Sequence, residues 1–208
     1  MKRTPLYVFA RAIAAKVTFP FVPYTVKNKE RFPKEGRVVV CCNQLSNSDP
    51  VRLSCSQRRQ IFYMAKAELF QFKPFGFILK KLGAFPVQRG KGDVEAIDSA
   101  AELLHEECAI GVFIEGTRSK DGELGKPKAG AVMLAYQNQA PILPVCITPV
   151  GSKKPRLFHR TIISIGELIP CEQLGIQEGT GVEFRNASRL VMDKIRELRE
   201  RDLREMQK

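Results

Sequence analysis

Short apolar runs rich in β-branched residues recur along the chain and predict buried strands. The first is residues 38–42, Val-Val-Val-Cys-Cys. Further strand candidates follow at residues 61–63, 84–87, 110–113, 142–147 and 161–165. Continuous apolar runs of this length are typical of strands covered on both faces of a sheet.

Helical patterns lie between some of these runs. After Gly92, one helix face is traced by Val94, Ile97, Ala101, Leu104 and Cys108. A short helix is predicted at residues 129–139, and a charged C-terminal helix is marked by Phe184, Ala187, Val191, Ile195 and Leu198. Strands that alternate with helices predict an α/β fold, a single domain with a central mixed or parallel β-sheet flanked by helices.

The first residues of the chain predict a separate amphipathic helix. Thr4 and Pro5 suit a helix start, and apolar residues recur at helical spacing at Leu6, Phe9, Ile13 and Val17. One-signed basic charge and terminal aromatic residues favour a helix that lies in a phospholipid headgroup region. A helix docked on its own domain is the alternative. The chain is therefore divided into a membrane-interfacial helix, 1–24, and a globular domain, 25–208.

The basic charge of the chain predicts an anionic partner. Its 208 residues include 34 Lys and Arg against 22 Asp and Glu, a formal net charge of +12. Phospholipid headgroups, phosphorylated small molecules, acidic carrier proteins and nucleic acid all fit such a charge. Charges at Arg11 and Lys16 argue against a cleavable signal peptide and against a membrane-spanning helix.

The cysteines do not predict a metal site. None of the six forms a Cys-x-x-Cys pair, and only two histidines are available as further ligands. Cysteines inside apolar runs are typical of small buried side chains in a reducing cytosol.

Candidate chemistry is concentrated in four short segments. They are residues 43–50 (Asn-Gln-Leu-Ser-Asn-Ser-Asp-Pro), 83–90 (Gly-Ala-Phe-Pro-Val-Gln-Arg-Gly), 113–119 (Phe-Ile-Glu-Gly-Thr-Arg-Ser) and 140–145 (Ala-Pro-Ile-Leu-Pro-Val). Taken singly, each also fits a polar turn, a solvated loop or a buried strand. In this order they resemble the glycerolipid acyltransferases, most closely the bacterial 1-acylglycerol-3-phosphate acyltransferases, over roughly residues 35–150.

This resemblance assigns expected roles to individual residues. The family has a histidine general base where this chain has Gln44, and Asp49 is the carboxylate that orients that base. Arg89 and Arg118 are expected to hold the acceptor phosphate. The remaining expected substrate-binding residues are Glu115, Gly116, Thr117, Ser119, Lys126 and Lys128.

The resemblance also implies an activity and its partners. The expected reaction moves a fatty acyl group from acyl-CoA or acyl carrier protein to the sn-2 hydroxyl of lysophosphatidate, without a metal or redox cofactor. Partners would include an anionic membrane but no nucleic acid, with a peripheral or monotopic location on the cytoplasmic face of the cell membrane. Because an amide is not a base at neutral pH, Gln44 predicts a rate of acyl transfer that is lower by roughly 10²–10⁴-fold. A lipid-binding pseudoenzyme and an acyltransferase for glycerol 3-phosphate or other lyso-lipids remain alternatives.

Overall fold

A computed structural model describes residues 21–71, 83–87 and 94–207, together with six isolated positions: Tyr7, Ala12, Lys16, Gly76, Phe77 and Lys80. The strands are β1 (Tyr24–Lys27), β2 (Val38–Cys42), β3 (Ile61–Lys66), β4 (Ala84–Val87), β5 (Ala109–Phe113), β6 (Ile142–Pro149) and β7 (Thr161–Ile165). The α-helices are α1 (Asp49–Ser56), α2 (Val94–His105), α3 (Gly130–Gln137) and α4 (Gly181–Met206). Short 3₁₀ turns occupy Lys29–Arg31, Ala67–Phe70 and Cys171–Leu174.

The strands form one mixed sheet in the order β1-β7-β6-β2-β5-β3-β4. Strands β6, β2, β5, β3 and β4 run parallel to one another, whereas β7 is antiparallel to β6 and β1 is parallel to β7. The carboxyl ends of β2, β5 and β6, at Cys42, Phe113 and Pro149, therefore meet at one edge, called here the site edge. The chain also enters β1 at this edge, because Tyr24 and Pro149 both pair with Thr161.

Side chains that alternate along the central strand β2 fill a core on each face of the sheet. Val39 and Cys41 face the core beneath helices α2, α3 and α4, which contribute Leu104, Val132 and Val191. On the other face lie Val38, Val40, Cys42 and Leu53 of α1. This two-sided burial explains why the strands read as unbroken apolar runs.

A buried carboxylate ties α4 to the sheet. Asp202 is fully buried and accepts hydrogen bonds from the hydroxyls of Thr148 (3.0 Å) and Ser164 (2.8 Å). The Lys27 ammonium of β1 lies 2.9 Å from the same carboxylate. At its amino end the helix begins with a capping box formed by Thr180 and Glu183. The long helix is thus anchored to β1, β6 and β7.

The predicted fold class, a mixed or parallel sheet flanked by helices, is confirmed, but two elements were missed. Strand β1 is a short edge strand whose four residues, Tyr-Thr-Val-Lys, carry little apolar signal. Helix α1 begins inside the segment 43–50, which taken singly also fits a polar turn, and has Asp49 and Pro50 in its first turn. That pair is also a helix-start signal, since proline suits the first turn of a helix.

The predicted N-terminal helix lies mostly outside the described residues. Of residues 2–19, only Tyr7, Ala12 and Lys16 are described, and all three are helical. Tyr7 is buried, which at this position favours the alternative of a helix docked on its own domain. In the part of the chain that is described, no helix is both long and apolar enough to cross a membrane.

Candidate functional site

Two loops meet at the site edge and are joined by backbone hydrogen bonds. One follows β2 and carries Gln44, and the other follows β5 and carries Glu115 and Ser119. The Ile114 N–H donates to the carbonyl of Cys42 (3.0 Å), and the Ser119 N–H donates to the carbonyl of Gln44 (2.9 Å). These bonds fix the backbone at position 44 whatever its side chain is.

The amide side chain of Asn43 joins the end of β2 to β6. Its Nδ2 donates to the carbonyl of Ile147 at 3.0 Å, and its Oδ1 accepts from the N–H of the same residue at 2.8 Å. Asn43 is buried, so both halves of its amide are satisfied by one backbone unit. This contact holds the residue before Gln44 in a single orientation.

The Asp49 carboxylate is held inside the loop that carries Gln44. Its Oδ2 accepts the backbone N–H groups of Leu45 (2.7 Å) and Ser46 (2.6 Å). Because Asp49 opens α1, its side chain reaches back over these residues and closes the loop. Because Asp49 lies five positions after Gln44, its hydrogen bonds close a compact loop at the end of β2.

A second, unpredicted residue pairs with this carboxylate. Arg52, one helical turn later, donates from Nη1 to Asp49 Oδ1 at 3.2 Å and to Ser48 Oγ at 2.6 Å. The side chain of Arg52 is 5% exposed and that of Asp49 is 0% exposed. Burial raises the pKa of Asp49, although the two N–H donors and Arg52 act in the opposite direction. Burial also lowers the pKa of Arg52, so desolvation weakens the charge of both partners.

No general base is present at position 44. Among the described residues, no hydrogen bond joins the Gln44 amide to Asp49. Burial raises the pKa of the neighbouring Cys42 thiol well above its ordinary value, which disfavours a nucleophilic thiolate. His105 ends α2 at the opposite edge of the sheet, and His159 is exposed in the loop after β6.

Glu115 connects the loop after β2 to the segment that leads into α3. Its Oε1 accepts from the N–H of Gln44 (3.4 Å), and its Oε2 accepts from the N–H of Gly125 (3.2 Å). Burial raises the pKa of Glu115, and these two backbone donors oppose that shift. Among the described side chains it forms no ion pair with Arg118. Glu115, which was predicted to bind substrate, thus holds these two backbone segments together.

Gly116 allows a lysine side chain to cross the loop. It has a φ of 68°, in the left-handed region that favours glycine. A Cβ at this position would lie 2.8 Å from Cδ of Lys128, so the aliphatic part of that lysine passes directly over Gly116. The N–H of Lys128 donates to the carbonyl of Ile114 at 2.8 Å. The predicted residues Gly116 and Lys128 are therefore in contact.

An open, cationic cavity of about 520 Å³ lies beside these loops. It is lined by Leu45, Thr117, Arg118, Ser119, Lys120 and Lys154. Three cations and two hydroxyl groups in one cavity suit an anion with several oxygen acceptors, such as a phosphate. The hydroxyl of Ser119 is already engaged, because it donates to Asp121 (3.0 Å) and accepts from the N–H of Gly122 (2.9 Å).

The structure brings some predicted residues together and leaves others apart. Thr117, Arg118 and Ser119 line the cavity, whereas Lys126 is exposed and Arg89 lies outside the described residues. Lys120 and Lys154 were missed. Lys120 follows the 113–119 segment by one position, but only the fold brings Lys154 there from the loop after β6.

The C-terminal helix also reaches the loop that bears Arg118. Arg199 donates from Nη2 to the carbonyl of Gly122 at 2.8 Å, and its Nη1 lies 3.2 Å from Glu123 Oε2. Gly122 has a φ of 88°, and a Cβ there would overlap the carbonyl oxygen of Lys153. Residues 119–123 are therefore held between α4 and the loop after β6. Within the described ranges, no cluster of three His, Cys, Asp or Glu side chains is arranged to hold a metal ion.

Comparison with known proteins identifies relatives of this chain. Residues 23–148 match the Acyltransferase family model. The chain is 39% identical over 137 residues to the 1-acyl-sn-glycerol-3-phosphate acyltransferase of Bacillus subtilis (strain 168), covering 65% of this chain and 67% of that protein. It is 24% identical over 151 residues to the chloroplastic 1-acyl-sn-glycerol-3-phosphate acyltransferase BAT2 of Brassica napus, of which it spans 44% while 72% of this chain is covered.

A solved structure shares the fold. It is the crystal structure of the 1-acyl-sn-glycerophosphate acyltransferase PlsC from Thermotoga maritima, with a TM-score of 0.71 and 24% sequence identity. The match covers 92% of this chain and 79% of that chain. At this identity the likeness establishes the architecture of the sheet and its helices.

Proposed function

The chain belongs to the Acyltransferase family, and on this premise we propose that its site takes 1-acylglycerol-3-phosphate as acceptor and an acyl-CoA or acyl carrier protein thioester as donor. The reaction would form an ester at the sn-2 hydroxyl and release the thiol of the donor. It changes no oxidation state, so we expect neither a metal nor a redox cofactor. The product is a phosphatidic acid, the precursor class of phospholipids.

The observation that carries this proposal is the cationic cavity beside position 44. Arg118, Lys120 and Lys154 line it together with the hydroxyl of Thr117. A phosphate monoester offers several anionic oxygens, which fit the fork of an arginine and two ammonium groups. The backbone of Gln44 lies next to this cavity through its bond with Ser119. A phosphate held there would bring the glycerol hydroxyls toward position 44.

Position 44 is also where the reaction would lose most of its rate. The attacking hydroxyl has to give up its proton as it adds to the thioester carbonyl, and the Gln44 amide does not accept that proton at neutral pH. Binding and orientation remain, and in enzymes that have lost catalytic residues they leave a residual rate enhancement. We therefore propose an acyltransferase scaffold whose turnover is strongly impaired.

Replacing Gln44 by histidine tests the proposal. In acyl transfer to lysophosphatidate in liposomes, Gln44→His should raise the rate by roughly 10²–10⁴-fold. The matched control is Gln44→His with Asp49→Asn, which restores the imidazole but removes the carboxylate that would orient it, so most of the gain should disappear. If Gln44→His shows no turnover with several donors and acceptors, the acyltransferase proposal fails for this chain.

A second candidate function, a lyso-lipid-binding protein without turnover, is favoured by the pairing of Asp49 with Arg52. Asp49 accepts three hydrogen bonds that do not involve position 44. The Asp49 carboxylate thus has hydrogen-bond donors in the structure without a histidine to orient. Binding of glycerol 3-phosphate by a chain that stays inactive after Gln44→His would support this candidate.

We further propose a peripheral location on the cytoplasmic face of the cell membrane. The net charge of +12 supports attraction to anionic phospholipids. An acidic acyl carrier protein would be attracted by the same charge. Glycerol 3-phosphate and other lyso-lipids are the competing acceptors, and competition binding against lysophosphatidate would rank them.

A further inference from the structure

Three large apolar side chains protrude together at the site edge. Leu157 and Phe158 are 64% and 69% exposed, in the loop that joins β6 to β7, and Phe21 beside them is 49% exposed. The rings of Phe21 and Phe158 lie 5.7 Å apart between centroids. We call Phe21, Leu157 and Phe158 the apolar tip. A protruding apolar group of this kind marks an interaction surface more often than an isolated exposed side chain does.

The backbone holds the apolar tip in place. The N–H of Phe158 donates to the carbonyl of Phe21 at 2.6 Å. The N–H of His159 donates to the carbonyl of Arg156 at 3.4 Å, so Leu157 and Phe158 are the two central residues of a turn. At the base of the loop, the N–H of Val150 donates to the carbonyl of Arg160 at 2.9 Å. The two exposed residues are therefore fixed at a turn that is tied to the start of β1.

Phe158 occupies a backbone conformation that does not suit it. Its φ is 63°, in the left-handed region, at a turn position where glycine or asparagine is favoured. A bulky residue in this conformation is unfavourable, and its ring is exposed, so burial in the core does not offset the strain. Strained residues of this kind are concentrated at functional sites. The strain is consistent with a ring that becomes buried only when a partner is bound.

The loop that carries Leu157 and Phe158 is rich in basic residues. The loop 150–160 contains Lys153, Lys154, Arg156 and Arg160, and it contains no Asp or Glu. We call these four residues the cationic flank. Exposed apolar side chains close in sequence to several Lys and Arg are typical of surfaces that enter the headgroup region of an anionic bilayer. Phe and Leu are among the apolar residues that interfacial segments bury at the boundary between headgroups and acyl chains.

The apolar tip lies at the same edge of the sheet as the candidate site. The loop begins where β6 ends, beside the carboxyl ends of β2 and β5. One member of the cationic flank, Lys154, lines the cavity next to Arg118. A bilayer that contacts the apolar tip would therefore present lipid headgroups on the side of the molecule where the cavity opens.

We propose that the apolar tip inserts into the boundary between headgroups and acyl chains of an anionic phospholipid surface while the cationic flank binds its headgroups. This deepens the proposed function, on which it rests, by assigning the membrane contact to named residues. A lipid surface fits better than a protein partner because Leu157 and Phe158 protrude side by side at a turn. A fluid bilayer deforms around such a projection, whereas a folded protein needs a matching pocket.

Vesicle co-sedimentation of the full chain tests the assignment. The variant Leu157→Ser/Phe158→Gly should lower partitioning onto vesicles of phosphatidylglycerol and phosphatidylcholine by about tenfold or more, from the apolar area lost. The matched control is Val182→Ser at the start of α4, a residue that is 56% exposed; its partitioning should not change. Equal binding by the tip variant and the unsubstituted chain would overturn the inference.

A stability measurement separates a binding role from a structural one. Phe158→Gly alone should unfold at the same or a higher urea concentration, because glycine relieves the left-handed conformation, and yet bind vesicles more weakly. A variant that loses stability and vesicle binding together would instead indicate a folding role for Phe158 and would contradict the inference.

Two further arms distinguish failure of the inference from failure of the proposed function. Glycerol 3-phosphate binding in solution reports the cavity, and Leu157→Ser/Phe158→Gly should leave it unchanged. If the unsubstituted chain binds neither glycerol 3-phosphate nor lysophosphatidate but the tip variant loses vesicle binding, the proposed acceptor fails and the membrane surface stands. If the tip variant loses binding of acyl carrier protein and keeps vesicle binding, the apolar tip is a protein-docking surface and the inference is overturned.

Discussion

The ion pair between Asp49 and Arg52 predicts a large effect of a single substitution. Arg52→Met removes the only side-chain cation that contacts Asp49 in the described structure, and Asp49 is 0% exposed. Breaking a buried pair by removing one partner costs about 3–5 kcal/mol. Asp49 keeps the N–H groups of Leu45 and Ser46 at 2.7 and 2.6 Å, so we expect the low end, about 3 kcal/mol.

Urea unfolding monitored by circular dichroism measures this loss, and its pH dependence tests the cause. Burial already raises the pKa of Asp49, and the loss of Arg52 would raise it further. Between the pKa of Asp49 in the unfolded chain and its higher pKa in the folded variant, the folded variant binds a proton that the unfolded chain releases. The free energy of unfolding of the variant therefore falls as the pH rises through this range. The deficit of Arg52→Met should therefore be larger at about pH 7.5 than at about pH 5.

Two comparison variants serve as controls for Arg52→Met. Arg58→Met removes a cation that is exposed just after α1, and it should change stability by less than about 0.5 kcal/mol. Asp49→Asn combined with Arg52→Met removes the stranded charge and should recover most of the loss. A deficit below about 1 kcal/mol in Arg52→Met that does not depend on pH would refute the account of a buried, mutually dependent pair.

Three further substitutions probe the cavity, its loop and the helix anchor. Lys154→Met should weaken glycerol 3-phosphate binding, measured by calorimetry, about tenfold. Its control, Lys153→Met, removes the same charge from outside the cavity lining and should weaken binding less than about twofold. Equal losses in the two variants would mean that only the net charge affects binding. Gly116→Ala should cost about 1–2 kcal/mol in urea unfolding, because its φ is 68° and the new Cβ meets Lys128, while Gly130→Ala, which meets nothing within 4 Å, should be neutral or stabilising. Lys27→Met should cost about 2–3 kcal/mol in urea unfolding, because among the described residues it leaves buried Asp202 with only the hydroxyls of Thr148 and Ser164 as donors. A loss below about 0.5 kcal/mol would show that these two donors suffice.

Most strands were predictable from their apolar runs, and for β2 and β7 these runs reflect burial at every position. Residues 38–42, 84–87 and 161–165 were bounded correctly from their apolar runs, and 61–63 is part of a longer strand, Ile61–Lys66. The apolar pattern did not reveal β1 or α1. Edge strand β1 has no buried residue, and three of the five buried residues of α1 are polar, namely Asp49, Arg52 and Ser56.

Some residues of the candidate site were likewise predictable from the sequence, and others were not. The resemblance to the acyltransferases, and not spacing alone, pointed to the segment that contains Arg118 and to the pair Gln44 and Asp49. It did not predict Lys154, which reaches the cavity only because β6 lies beside β2 in the sheet. Arg52 was within reach of sequence reasoning, since a cation three positions after an aspartate faces it on a helix. Recognising that spacing required α1 to be identified as a helix.

We expect glutamine at position 44 to affect one step of the proposed function and to leave the others intact. The Gln44 side chain bears on proton transfer, whereas the cavity depends on Arg118, Lys120 and Lys154 and the membrane contact depends on the loop after β6. The backbone of residue 44 is held by Glu115 and Ser119 through its N–H and carbonyl groups, which every residue except proline supplies. Lipid binding and acyl transfer are therefore separable in this fold: histidine at position 44 should change turnover while leaving the affinity for glycerol 3-phosphate and for vesicles unchanged. A parallel change in all three would mean that position 44 shapes the cavity, and the separation would fail.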